Sequence, residues 1–337
     1  MRFAFTSDQL EFAEAVADLL AKEATPTHLR DAWENDTGHI PGLWLKLVEM
    51  GVVGLLAPEG VGGLGMTELD LVRIAYEAGK VALPEPLSTI AGVVVPALRD
   101  HAPSADAERF LGEICTGEST VALGLAVNPL ILNAAEAAMF VLEADDGLHL
   151  VDPDVVELTA EESVDGSRRV SRLSWNPSPA TRMGGAAGAA GAGEALDRAA
   201  VFTAAELCGL SDTMLALTSG YVKERRQFGV PIGSFQAIKH HLANALLKVE
   251  FAKPLVWRAA YSITNGDPDA SVHASMAKSA ASDAANLVGR IAMQCHGGIG
   301  YTTEYDLHLY LKRSWALIAQ DGSALWHRRR VADAVLG

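Results

Sequence analysis

Apolar positions recur at helical spacing along most of the chain. Phe12, Val16, Leu19 and Leu20 fall on one face of a segment running from the capping box Thr6-x-x-Gln9 to about Ala24. A second helix is predicted over about 42–50, and an apolar stretch at 52–56 follows it. Further helices are predicted from Thr67 to about Glu77, over about 87–98, and over about 105–116. The pattern then changes to short apolar runs at 120–127, 138–143, 148–151, 155–158 and 170–173. Asp145-Asp146-Gly147 and Asp165-Gly166 read as hairpin-type turns between them. Helical patterns return over 194–225, 234–265, 269–295, 303–317 and 323–336, with Pro254 expected to kink the second of these. Long antiparallel helices with short connections make a bundle.

The chain therefore reads as mainly α with a small β domain. The predicted parts are an N-terminal helical domain (1–118), a short middle β domain (119–176), a linker (177–193) and a C-terminal helical bundle of four-helix type (194–337). The linker holds Pro177, Pro179 and a Gly/Ala run at 184–191, too poor in large apolar residues to order itself. Gly60-x-Gly62-x-x-Gly65 has the form of a dinucleotide fingerprint. That motif needs a returning parallel strand, and the following segment carries Pro84 and Pro86, which a central strand excludes. A Rossmann fold is rejected; the glycines mark a structural turn.

A length of 337 residues allows a large core and more than one domain. The net charge of −15 argues against nucleic-acid or anionic-membrane binding. No uninterrupted apolar run reaches membrane-spanning length, and the start at Met1–Asp8 turns polar too early for a secretory signal. Cys115, Cys208 and Cys295 are odd in number and far apart, so neither a disulfide framework nor a zinc site is indicated. His240 and His241 are helix neighbours that do not face each other, and no metal is argued from them or from His296. A soluble cytoplasmic protein is expected.

Candidate chemistry concentrates at Tyr221–Gln236. A helix is predicted to end among Lys223, Arg225 and Arg226, with Gly229 at the C′ position and Pro231 preventing continuation. Arg225 would project from this corner, suited to an anion such as a pyrophosphate. Read from the residues alone, an exposed helix terminus with ordinary basic residues fits as well.

Arg225, Phe228, Gly229 and Gln236 resemble the Arg-x-x-Phe-Gly…Gln signature of acyl-CoA dehydrogenases. Gln294, Gly297, Gly298 and Gly300 resemble that family's Gln-x-x-Gly-Gly-x-Gly segment. Trp44–Gly51 and Pro58–Gly65 look like its N-terminal helix and loop. The three pieces stand in family order. The resemblance implies FAD as cofactor, an acyl-CoA substrate and electron transfer flavoprotein as acceptor. In the family a carboxylate takes the α proton and a hydride leaves Cβ for the flavin. A ribityl hydroxyl and the base's own backbone N–H polarise the thioester oxygen.

Counted from Glu304, the base position falls on Asp321 within Gln320-Asp321-Gly322-Ser323, and Ser323 joins the cofactor set at the family's Thr. Asp is one methylene shorter than the usual Glu, and a displacement of about 1 Å costs about 100-fold. Asp321-Gly322-Ser323 reads equally as a helix entry capped by Asp321 or Ser323. The family's alternative base position falls on Ala199, beside Ala200, while Asp197 and Arg198 point elsewhere on the helix. Val121–Pro129 lacks the flavin-ring motif expected in the β domain.

In the family tetramer one chain holds the flavin ring and its neighbour grips the pyrophosphate and adenine. This chain keeps the second set of residues and lacks the first. It resembles the short subunit of heteromeric (α2β2) actinobacterial acyl-CoA dehydrogenases acting on sterol side-chain thioesters. Two other readings stand beside this one: a homotetramer using Asp321 as base, and a non-catalytic subunit stabilising a partner.

Overall fold

A computed structural model describes residues 4–184 and 188–337, with the backbone alone for 188–190. The start Met1–Phe3 and the central Gly185–Ala187 of the predicted linker lie outside the described residues.

Helix α1 (Ser7–Glu23) begins as its sequence directs. The Thr6 hydroxyl accepts from Gln9 N–H, and the Gln9 side chain accepts from Thr6 N–H at 3.0 Å. Helix α2 (Pro26–Glu34) was not anticipated, because its nine residues are too few to display a period. Its signal is local: Thr25 caps it and Pro26 occupies the first turn, where a missing N–H costs nothing. Then follow α3 (Leu43–Glu49), a 3-10 turn at Glu59–Val61 and α4 (Glu68–Lys80). Gly62 and Gly65 have φ of +90° and +61°, and the segment before Gly60, where a Rossmann fold would need a strand, is made of turns. Helices α5 (Leu87–Thr89) and α6 (Val95–His101) are joined through a π turn at Ile90–Val94, and α7 (Ser104–Thr116) ends this part. Pro96, lacking an N–H, weakens the α-helical ladder at that turn.

Six short strands follow: β1 (Val121–Gly124), β2 (Ile131–Leu132), β3 (Met139–Ala144), β4 (Gly147–Val151), β5 (Glu157–Glu161) and β6 (Val170–Ser174). They form two sheets, ordered β1-β3-β4 and β2-β6-β5, with β1 parallel to β3. Asp145-Asp146 turns the β3–β4 hairpin. Asp165-Gly166 instead lies in the longer connection 162–169, because Asp165 is committed to a buried tertiary contact. Part of the stretch read as a linker is also ordered. Leu150 N–H donates to Thr181 O and Met183 N–H donates to Leu148 O, both at 2.8 Å, so Thr181–Met183 line the open edge of β4.

Helix α8 (Gly188–Glu224) starts earlier than predicted and leads into β7 (Arg226–Gln227) and β8 (Val230–Pro231). Gly229 is not a helix C′ residue. Phe228 and Gly229, with φ of +52° and +81°, form the two-residue turn of a β7–β8 hairpin, a geometry that requires positive φ at both places. Helix α9 (Gln236–Thr264) runs through Pro254 without interruption. It is followed by α10 (Ala270–His296), a 3-10 turn at Gly297–Tyr301, α11 (Leu307–Ala319) and α12 (Ala324–Leu336). Alanines 274, 277, 281, 284 and 285 bury one face of α10 and let neighbouring helices approach closely. Within α8, Gly191–Glu224 is long and apolar enough to cross a membrane, but 67% of its most apolar window is buried in the protein.

Arg313 of α11 ties the three regions together. It donates to the Asp165 carboxylate, to Ser167 Oγ at 2.7 Å and to Leu83 O at 2.6 Å. Burial alone would raise the Asp165 pKa, but the Arg313 and Arg168 guanidiniums hold it below the ordinary carboxylate range. Removing one member of such a pair leaves the other charge buried and unpaired. Asp165→Asn is expected to cost about 3–5 kcal/mol of unfolding free energy, measured by chemical denaturation at neutral pH.

Candidate active site and nucleotide corner

A cavity of about 480 Å³ opens where the three regions meet. Its apolar wall comes from Trp44, Ile90, Val93, Leu123, Phe202 and Leu317, and its polar wall from Glu85, Asn128, Arg168, Thr203, Glu206 and Asp321. Asp321 was anticipated from the sequence; the other polar residues were not. Ala199 does line the cavity, and two helical turns farther along the same face stands the carboxylate of Glu206. A charged residue at that spacing on the apolar face of α8 was the signal available in the sequence. Burial pushes the Glu206 pKa up, opposed by the Ser88 hydroxyl and the Arg313 and Arg168 charges. Burial raises Glu85 as well, to about 7, although its carboxylate accepts the Ile40 N–H at 2.8 Å.

The loop carrying Asp321 is held from several sides. Asp321 and Gly322 both adopt positive φ, +55° and +94°, and a non-glycine residue there needs support from its surroundings. The Asn128 amide donates to Asp321 Oδ1 and accepts from Asp321 N–H, both at 2.8 Å. Thr203 Oγ1 donates to Asp321 Oδ2 at 2.7 Å, and His327 Nε2 donates to the Asp321 carbonyl at 2.8 Å. Beneath the loop, the fully buried Lys278 donates to Gly322 O at 3.1 Å and to Ile318 O at 3.3 Å. Burial depresses Lys278 to about 8, partly offset by the Asp321 charge. Ser323 lies outside the cavity lining, and its hydroxyl accepts from Trp326 N–H at 3.2 Å as the N-cap of α12. The helix-entry reading therefore describes Ser323, while Asp321 faces the cavity.

The remaining predicted site residues gather elsewhere. Arg225 lies between the end of α8 and the hairpin, with Ile232 N–H donating to its carbonyl at 2.8 Å. Gly297 begins the turn after α10 with φ +62° and ψ −139°, a conformation reserved for glycine, and open space lies where its Cβ would be. One aromatic stack joins the two places. The Tyr221 ring lies on His296 with centroids 4.4 Å apart, and the Tyr221 hydroxyl reaches the His296 carbonyl at 3.4 Å. Tyr221 is one turn before Arg225, and His296 immediately precedes Gly297. Arg225, Phe228, Gln236, Gln294, Gly297 and Gly298 are exposed at this end, whereas Gly300 is buried. Lys223, Arg225 and Arg226 form no ion pair among the described residues. The cavity residues Ala199–Glu206 lie around the middle of α8, and the 19 positions from Glu206 to Arg225 correspond to roughly 28 Å of helix between the cavity and this corner.

Residues 6–118 match the family described as Acyl-CoA dehydrogenase, N-terminal domain, and residues 186–336 match Acyl-CoA dehydrogenase, C-terminal domain. The chain belongs to the acyl-CoA dehydrogenase family. It is 34% identical over 305 residues to Acyl-CoA dehydrogenase IpdE2 of Mycolicibacterium smegmatis, covering 89% of this chain and 90% of that protein. Acyl-CoA dehydrogenase IpdE2 of Mycobacterium tuberculosis is 34% identical over 303 residues, covering 89% of each. The fold is shared with a steroid ACAD, Tcur3481-Tcur3483, at a TM-score of 0.88, 24% identity and 98% of both chains. It is shared equally with the ChsE4-ChsE5 complex from Mycobacterium tuberculosis, at a TM-score of 0.88 and 23% identity over 100% of this chain and 99% of that one. The enzyme is an acyl-CoA dehydrogenase, and its cofactor is FAD.

The residues fit that cofactor at one end. Guanidiniums without an ion pair among the described residues, beside an open glycine backbone, suit a pyrophosphate. The segment Val121–Pro129 is otherwise engaged: Ala126 N–H donates to Glu143 at 2.7 Å, Asn128 N–H donates to Leu125 O at 2.8 Å, and the Asn128 side chain holds Asp321.

Two outcomes follow from the Asp321 loop. Lys278 has a folded pKa below its unfolded value of 10.5, so the unfolded chain binds more protons between about pH 8 and 10.5. Unfolding free energy is therefore expected to rise across that interval by up to about 3 kcal/mol, a slope that Lys278→Met should flatten. Asn128→Ala leaves Asp321 short of two partners and is expected to cost about 1–3 kcal/mol, read by denaturant titration.

Proposed function

We propose that this chain is one subunit of a cytoplasmic, heteromeric acyl-CoA dehydrogenase in which FAD lies across a subunit boundary. This chain grips the nucleotide end, and a partner chain cradles the ring. The observation that carries the reading is the placement just described. Arg225 and Gly297–Gly298 are brought to one corner through the Tyr221–His296 stack, at the C-terminal end of α8 and away from this chain's own cavity at the helix middle. Glu206, the cavity residue on α8 nearest to this corner, stands 19 residues before Arg225, roughly 28 Å along the helix. In this reading a cofactor gripped at the corner has its ring in another subunit.

The roles of the residues follow from their chemistry. Arg225 offers a planar fork of donors to phosphate oxygens, and the open backbone at Gly297–Gly298 lets the nucleotide approach closely. Phe228 and Tyr301, 92% and 77% exposed, flank that corner, and Phe251 on α9 is 73% exposed. Large exposed aromatics of this kind are surface for a partner to cover. Bound FAD supplies the hydride acceptor. The substrate is an acyl-CoA thioester, and similarity to steroid ACADs favours a steroid-derived acyl group. Electron transfer flavoprotein is the acceptor.

The Asp321 loop supports the same reading. Both carboxylate oxygens and the backbone N–H of Asp321 are occupied by Asn128 and Thr203. These are the groups through which the family acts on the α proton and the thioester oxygen. A homotetramer with Asp321 as base is favoured by one observation, that Asp321 lines the cavity.

Flavin absorbance of the chain purified alone and together with a genomically adjacent homologue separates the readings. FAD is expected only in the pair, and Arg225→Ala in this chain is expected to weaken FAD retention at least ~10-fold, the loss of one or more charge-assisted hydrogen bonds. Yellow protein from the chain alone supports the homotetramer. Unchanged FAD affinity in the Arg225→Ala pair supports a purely structural subunit.

A further inference from the structure

The cavity in this chain keeps a feature that the flavin corner does not explain. Arg168, in the β5–β6 connection, lines it. It is half-buried and donates to the neutral amide oxygen of Gln320. It makes no salt bridge among the described residues, although the neighbouring Arg313 is paired with Asp165. Burial first, and the Arg313 charge second, lower the pKa of Arg168. An arginine has five N–H donors, and the bond to Gln320 leaves donors that an acceptor in the cavity can meet. Of the carboxylates nearby, Asp321 is occupied by Asn128 and Thr203, Asp165 is bound to Arg313 and Ser167, and Glu206 faces the same cavity without a salt bridge to Arg168 among the described residues.

The rest of the wall is apolar where Trp44, Ile90, Val93, Leu123, Phe202 and Leu317 contribute, and the volume of about 480 Å³ is that of a small-molecule pocket. We infer that this cavity binds a ligand with an apolar body and a free carboxylate, the carboxylate taken in a forked contact by Arg168. A guanidinium matches a planar carboxylate with two parallel hydrogen bonds, and Asp165 and Arg313 fix the loop from which Arg168 projects. Glu206 stands on the same wall, where burial raises its pKa against the opposing charges of Arg313 and Arg168. The inference concerns the pocket of this chain and does not depend on which subunit holds the flavin.

Isothermal titration of the assembled protein tests it with 3-cyclohexylpropionate, its methyl ester, and the matched pair suberyl-CoA and octanoyl-CoA. The free acid is expected to bind saturably, and the ester at least ~10-fold more weakly, as the loss of a charge-assisted pair implies. Arg168→Met should remove the preference for the acid while leaving ester binding unchanged. Arg168→Lys keeps the charge without the fork and should recover only part of it, which guards against a folding defect in the first variant. A preference for suberyl-CoA over octanoyl-CoA places the carboxylate on the acyl chain, and equal binding of those two with tight binding of the free acid places it on a separate ligand. Equal affinity for acid and ester, or an acid preference that survives Arg168→Met, overturns the inference. Failure of the shared-flavin reading would appear instead in the FAD content of the Arg225→Ala pair, which this titration does not measure.

Discussion

The buried contact of Arg313 with Asp165, Ser167 and Leu83 is the constraint on which the geometry depends. Three regions far apart in sequence meet at one guanidinium: the loop before α5, the β5–β6 connection, and α11. Each supplies part of the cavity wall. A charge buried this deeply is tolerated only with its partners in place, so it fixes how the β region sits between the helices. The same contact positions the connection carrying Arg168, and α11 carries Leu317 and leads into the Asp321 loop. Packing alone would allow these elements to slide; a fork of directed hydrogen bonds does not.

Helix α8 separates two chemical tasks by its length. Around its middle, Ala199, Thr203 and Glu206 face the cavity. At its end, Tyr221 stacks on His296 and holds the basic corner beside the glycine turn. Because a helix is a rigid spacer with a fixed rise per residue, the distance between these tasks is set by residue count. The division of labour between subunits proposed above rests on that rigidity. A chain that retains only the distal task can serve a neighbour's cofactor while its own cavity follows other requirements.

The Asp321 loop illustrates how a local conflict is resolved by tertiary contacts. Aspartate at φ +55° is strained, and Lys278 beneath it is fully buried. Asn128 answers the first by pairing with both backbone and side chain of Asp321. Backbone carbonyls of Ile318 and Gly322 answer the second by accepting from the Lys278 ammonium. Neither arrangement is local: Asn128 comes from the β region, and Lys278 from the first third of α10.

By itself the sequence determined the helical, β and helical succession, the Thr6–Gln9 capping box, the rejection of a Rossmann fold and the family resemblance. These depend on periodicity, capping residues and local motifs, which act over a few positions and leave a direct trace in residue order. Helix α2 escaped because it is shorter than the window in which a period is visible. The hairpin at Phe228–Gly229 was mistaken for a helix C-cap because Gly-x-Pro punctuation is common to both. What only the tertiary structure decided was which charged residues share one enclosure. Glu85, Asn128, Arg168, Glu206 and Asp321 come from elements spread across most of the chain, and each looks like an ordinary polar residue in its own segment. Burial and proximity give them their chemistry, and both are properties of the packed chain rather than of its neighbours in sequence.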